Sequence, residues 1–258
     1  LPRPRAQEAV IKLRIRLVVL LLFTAALLTL AWLSTSPRYT VRQVVITTAN
    51  EGEEVSAEVK AQLSTLVGTP LLRLSPAKEE ARLKQLATVQ DAVIRRRLPD
   101  TITVHLTVTE SRVIIHSSDD EGYYLIKDGH LFAITGEDAA PYQRRVMTIE
   151  VPASYAQVMV RWGVDELFEQ VIELTDSLGG ESSLITRVKY DNNSSNSFGK
   201  MVLELSSLHA QIWVREPVGA ARVQAAIALV QEDRERSLFF LSSEAKRYDL
   251  YREGLVRR

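Results

Sequence analysis

The feature that most constrains this chain is a run without one charged side chain from Leu17 to Pro37, whose centre reads LVVLLLFTAALLTLAWL. At about 1.5 Å of rise per residue, a helix of that length crosses a hydrocarbon layer of about 30 Å. Arg3, Arg5, Lys12, Arg14 and Arg16 precede it against Glu8 alone, so residues 1–16 carry a net +4. The positive-inside rule then predicts a cytoplasmic tail over 1–16, a single transmembrane helix over 17–37 with Trp32 near the far interface, and an extracytoplasmic remainder. A cleaved signal peptide shares the basic flank and offers Ser34 to Ser36 as a small-x-small site. Pro37 would follow that cut directly, however, and the run is longer than the usual apolar core of about 7–15 residues. A buried core helix would show a polar stripe, and none interrupts this run.

Lys+Arg 32 balance Asp+Glu 32, so a +4 tail leaves −4 on everything after it. A mildly acidic exported mass argues against a nucleic-acid binder. With 46% hydrophobic and 25% charged residues the chain has the makings of a packed core. The absence of cysteine removes disulfides, thiolate metal sites and cysteine nucleophiles together.

After Pro37 the pattern predicts an α+β domain over 38–111. VRQVVI (41–46) reads as a strand through its β-branched residues. Ser56 is placed to cap a helix whose Val59, Leu63, Leu66 and Val67 share one face, ended by Gly68 and Pro70. Ser75 and Pro76 announce a second helix, with Leu83 and Leu86 on one side. A strand over Ala92–Leu98, a Pro99-Asp100 turn and a strictly alternating strand from Ile102 to Val108 follow. The order strand, helix, helix, strand, strand implies a three-stranded sheet with two helices on one face.

Those elements resemble the POTRA domain of the bacterial cell-division family FtsQ, called DivIB in Gram-positive organisms. The segments that carry the resemblance are VRQVVI, SAEVKAQL, GTPLLRL and VQDAVIRRRLPDTITVHLTVTES. Glu110-Ser111-Arg112 stands where the family typically closes on Glu-Arg, with one residue inserted.

Residues 112–258 are too many for a loop and predict a second, mixed and mainly antiparallel α/β domain. Strands are expected at Val113–Ile115, Tyr123–Ile126 and Leu131–Ile134, the last two joined by the Asp-Gly turn of Lys127-Asp128-Gly129-His130. Val164 to Leu178 has helical spacing up to Gly179-Gly180. Leu184–Tyr190, Met201–Leu205 and Ile212–Val214 read as strands, the last two paired through Ser206–His209. Pro217 opens a helix striped by Val223, Ile227 and Val230. YYLIKDGHLF and the closing RYDLYREGLVRR resemble the β domain of the same family, although Tyr251 sits where the family commonly has Arg.

No catalytic constellation stands out. His105 lies on the polar side of an alternating strand; His116, His130 and His209 sit in or beside turns without a second ligand at helical spacing. Asp119-Asp120-Glu121-Gly122 lacks the spacing of a calcium loop and reads as a turn. Arg95-Arg96-Arg97 reads first as a solvated strand edge, with contact to an acidic partner or anionic lipid as the alternative. Asn192, Asn193 and Asn196 read as a polar loop. Gly179-Gly180 lacks phosphate-loop context. The expectation is therefore no enzyme, no metal and no cofactor.

The resemblance implies a bitopic inner-membrane scaffold of the divisome, found at the septum, which binds FtsB/DivIC-type and FtsL-type division proteins along its C-terminal edge. On that analogy Tyr251, Arg252, Gly254, Leu255 and Val256 are the candidate partner-binding residues. An anchored periplasmic cell-wall hydrolase, or a POTRA-containing outer-membrane assembly factor, is the alternative. The first needs convergent carboxylates or a Ser-His set. The second needs a series of barrel strands that is not seen.

Overall fold

A computed structural model describes residues 4–50, 53–119, 121–179, 183–192, 200–237 and 245–258. These divide into two compact units. The first comprises 1–53, 58–85 and 91–107; the second comprises 54–57, 86–90 and 108–258.

The first unit opens with α1 (Pro4–Thr35). Its described apolar side chains, from Leu17 to Phe23 and at Leu27 and Leu28, are each at least half exposed. The expected membrane-spanning helix is not supported: among the described residues no helix is long and apolar enough to cross a membrane.

Beyond a 3-10 turn at Pro37–Tyr39 come β1 (Gln43–Thr48), α2 (Ala57–Ser64), α3 (Pro76–Lys84), β2 (Val89–Arg97) and β3 (Thr101–Val108). β3 lies between β1 and β2, and it pairs with β1 in parallel, Val44 opposite Ile102 and Ile46 opposite Val104. The strict alternation of β3 buries Ile102, Val104 and Leu106, while α2 buries Val59 and Leu63 and α3 buries Leu83. β1 begins two residues later than its apolar pattern suggests. Val41 is drawn away to exchange main-chain bonds with Gly68 and Thr69, and Leu71 donates to Tyr39. Gly68 makes this corner with φ +85°, a conformation that suits glycine.

The second unit contains β4 (Val113–Ser117), β5 (Tyr123–Lys127), β6 (His130–Ile134), α4 (Gly136–Gln143), β7 (Met147–Val151), α5 (Ala153–Trp162), α6 (Glu166–Leu178), β8 (Arg187–Asp191), β9 (Lys200–Leu205), β10 (Ala210–Val214), α7 (Ala220–Ser237), β11 (Lys246–Leu250) and β12 (Leu255–Arg257). Its described strands form one nine-stranded sheet, ordered β12-β11-β10-β9-β8-β7-β4-β5-β6. The pairs β10/β11, β7/β8 and β4/β7 are parallel and the others antiparallel, so the sheet is mixed and mainly antiparallel. The β5–β6 turn takes the two positive φ angles its Asp-Gly step calls for, 51° at Asp128 and 76° at Gly129.

The main core buries Ile149, Val188, Leu203, Ile212 and Leu250 from the sheet with Tyr155, Phe168, Val171 and Val223 from α5, α6 and α7. A smaller cluster on alternate residues, Ile114 and Leu125, packs with Ala139 and Tyr142 of α4. The stretch 136–162, for which the sequence pattern suggests no element, folds as α4, β7 and α5.

Candidate functional site

The C-terminal residues build the sheet's last edge. Among the described strands β12 pairs with β11 alone, in the register Tyr248↔Arg257, Asp249↔Val256 and Leu250↔Leu255. Main-chain bonds from Tyr251 N to Gly254 O and from Arg258 N to Arg247 O, each 2.9 Å, bracket this short ladder. Antiparallel ladders alternate, so Val256 exchanges its bonds with Asp249, while the N–H and C=O groups of Leu255 and Arg257 point away from β11. No described strand pairs with that outer side.

The side chains of this edge divide between two faces. Leu255 packs on the main core, and Arg257 donates to Asp233 of α7 at 3.0 and 3.2 Å. Val256, on the other face, is 44% exposed. It continues a row that runs through Asp249, Trp213 and Val202 across β11, β10 and β9. Asp249 is buried on this face between Trp213 and Val256. Three arginines cover it: Arg247 at 2.9 Å, Arg258 at 3.3 Å and Arg215 at 3.6 Å. Burial pushes its carboxyl up, yet the hydrogen bond from Arg247 and the charges of Arg215 and Arg247 outweigh that and hold it below the ordinary carboxylate value.

Of the five candidate residues, Tyr251, Arg252 and Gly254 therefore lie in the β11–β12 turn, and Leu255 and Val256 lie in the edge strand itself. The sequence reading passed over Arg257 and Arg258, which fasten the strand. It also passed over Trp213, Arg247 and Asp249, which form the polar surface beside it. Asp249, an acid at an alternating position with arginine two residues before it, is the signal that could have found them.

Farther along the same sheet face a cleft of about 270 Å³ is lined by Glu150, Asp191, Glu204, Lys189 and Gln211, among others. The hydrolase alternative calls for carboxylates of this kind. Here, though, Glu150 is paired with Arg187 and Glu204 with both Arg187 and Lys189, so these acids are neutralised within the face. Among the described residues no group of three or more acidic or histidine ligands is arranged for a metal. His105 Nδ1 meets Thr47 Oγ1 at 2.6 Å and His116 stacks on Tyr123. His130 pairs with Lys127 across the hairpin, and His209 turns the chain at φ 46°.

Asp119 caps the start of α5 by accepting from Ala153 N at 3.0 Å, as a turn residue would; Asp120 lies outside the described residues. Arg95, Arg96 and Arg97 are all exposed on the edge strand β2, and Arg96 also donates to Leu74 O. Asn193, Asn196 and Gly180 lie outside the described residues.

Residues 40–108 match the family model described as POTRA domain, FtsQ-type. This is an FtsQ-type POTRA domain. The match supports assignment of the chain to the FtsQ/DivIB family, and with it a division-related role. No curated protein matches the chain.

Proposed function

We propose that this chain is a non-enzymatic scaffold of the bacterial divisome that holds a partner protein by β-augmentation on the outer side of β12. The observation that carries the reading is the edge that the described strands leave unpaired. Leu255 and Arg257 offer their main-chain groups outward, on a strand ending a nine-stranded sheet in a chain with an FtsQ-type POTRA domain. A strand added there gains main-chain hydrogen bonds, and the exposed Val256 beside Asp249 and Trp213 gives it a surface to read. The proposed partners are the FtsB/DivIC-type and FtsL-type division proteins.

The proposal includes a membrane anchor at the N-terminus, with the folded units extracytoplasmic and concentrated at the septum. Its support is the uncharged run from Leu17 to Pro37 behind a +4 tail, and the exposure of the apolar side chains of α1.

Leu255→Pro removes an outward-facing donor while sparing the bonds to β11; Leu255→Ala keeps that donor. Capture of the purified FtsB/DivIC-type protein of the same organism by the full chain is expected to fall at least about tenfold with Pro relative to Ala. Equal capture by both variants would remove the edge from the binding account.

A further inference from the structure

The edge strand is only three residues long, and an isolated segment of that length has little to keep it in place. The structure supplies that restraint from one helix. At the N-terminal end of α7, Arg222 donates to the carbonyl of Arg252 at 2.8 Å. Just before α7, Glu216 accepts from Arg252 N at 2.9 Å and the Pro217 carbonyl accepts from Arg252 Nε at 3.3 Å. Eleven residues beyond Arg222, Asp233 accepts from Tyr248 Oη at 2.5 Å and from Arg257 at 3.0 and 3.2 Å.

The two holding points bracket the turn and the edge strand. Along α7 they lie about 16 Å apart at about 1.5 Å per residue. From Arg252 to Arg257 the chain reaches at most about 17 Å at about 3.3 Å per residue. α7 can act as a splint because the adjoining face is fixed, with Val223, Ala226 and Val230 all buried in the main core.

We infer that α7 holds the β11–β12 turn and the edge strand in a binding-ready conformation, and that Arg222 and Glu216 are positioning residues for whatever adds to that edge. This inference rests on the β-augmentation reading. Neither residue needs to touch the partner. Their effect is to remove disorder from the strand before binding, so that an incoming segment does not bear the cost of ordering it.

The test uses the full chain with Arg222→Ala, Arg222→Lys and Glu216→Ala. Amide exchange is followed at Tyr251, Val256 and Arg258, whose N–H groups close the β11–β12 ladder. Capture is measured with the purified FtsB/DivIC-type protein as probe. Arg222→Ala and Glu216→Ala are expected to speed exchange at those three amides about tenfold or more, to leave exchange in β8 and β9 and the melting temperature unchanged, and to weaken capture about tenfold. Arg222→Lys, which keeps a donor for the Arg252 carbonyl, is expected to recover most of both.

Exchange and capture both unchanged in the alanine variants would overturn the inference. So would faster exchange without weaker capture, provided Leu255→Pro still abolishes capture. A fall in melting temperature with faster exchange throughout the second unit would overturn it too, by making these residues general stabilisers. If Leu255→Pro also leaves capture intact while local exchange responds as expected, the augmentation reading fails and the splint stands as a property of the fold alone.

Discussion

The guanidinium of Arg247 lies over the indole of Trp213, 3.9 Å from the ring centroid, on adjacent parallel strands of the second unit. The stack fixes the guanidinium where it can also donate to both oxygens of Asp249, at 2.9 and 3.1 Å. Asp249 is thus the hub of the polar face. Replacing it with Asn leaves Arg215, Arg247 and Arg258 facing one another without an anion. The arginines are more exposed than the acid and can turn to water, which limits the cost to about 1–3 kcal/mol. The midpoint of urea unfolding is expected to fall accordingly, and no change would mean that the cluster contributes nothing net.

Acid should find the same residue. Asp249 is held below the ordinary carboxylate value as described, and so is Asp233, through the hydrogen bond from Tyr248 against some burial and with the charge of Arg257. A carboxyl depressed in the folded state contributes stability that is present above the unfolded value of about 3.9 and is lost as pH falls through the lower folded value. Stability should therefore drop as pH falls below about 4. Asp249→Asn should make that limb shallower in urea midpoints measured against pH; an unchanged slope would rule out its share.

Gly163 ends α5 at φ 87° and ψ 175°, a region that essentially only glycine enters. A Cβ built there would stand 3.0 Å from the Gly129 carbonyl oxygen, the acceptor of the bond from Val164 N that joins this corner to the β5–β6 turn. Gly163→Ala is expected to cost about 1–3 kcal/mol in equilibrium unfolding. Gly254→Ala is the contrast: its Cβ would meet nothing within 4 Å, and its change should be within about 0.5 kcal/mol.

Where a local pattern decides an element, the sequence reading and the structure agree. The alternation of Ile102 to Val108 gives β3, the Asp128-Gly129 step gives its hairpin, and the spacing of Val171, Leu174 and Leu178 gives α6. The stretch 136–162 escaped because its cues conflict. Pro141 stands inside α4, where proline argues against helix, and α5 carries Val158, Val160 and Trp162 exposed, which blurs its apolar stripe. The edge strand was legible only through resemblance to a family. Its supports, Glu216, Arg222 and Asp233, lie up to 36 residues from the groups they hold, a relation made by the β10–α7–β11 crossover and invisible to any local pattern.

Asp165 joins α5 to α6 through two different bonds. One oxygen caps α6 by accepting from Phe168 N at 2.8 Å, and the other accepts from Tyr155 Oη at 2.7 Å. Asp165→Ala should therefore cost more than a cap alone. The cap contributes about 1 kcal/mol, and a buried hydroxyl left without its acceptor adds about 1–3 kcal/mol. Tyr155→Phe removes the hydroxyl with its need for a partner, so in that background Asp165→Ala should cost only the cap, and a double-mutant cycle should show the difference.

The same pair shapes the alkaline limit. Burial first, then the bond to Asp165, push the Tyr155 hydroxyl far above the ordinary tyrosine value, while Tyr190 and Tyr248 are pushed up, chiefly by burial, to about 12. A group raised in the folded state contributes stability present below the unfolded value, about 10 for tyrosine, and lost as pH rises through the folded value. Stability should thus decline above about pH 10, and tyrosinate absorbance should show these three ionising after the more exposed tyrosines or together with unfolding. Tyr155→Phe should flatten that decline, and a decline of the same steepness in the variant would show that the buried hydroxyl is not its source.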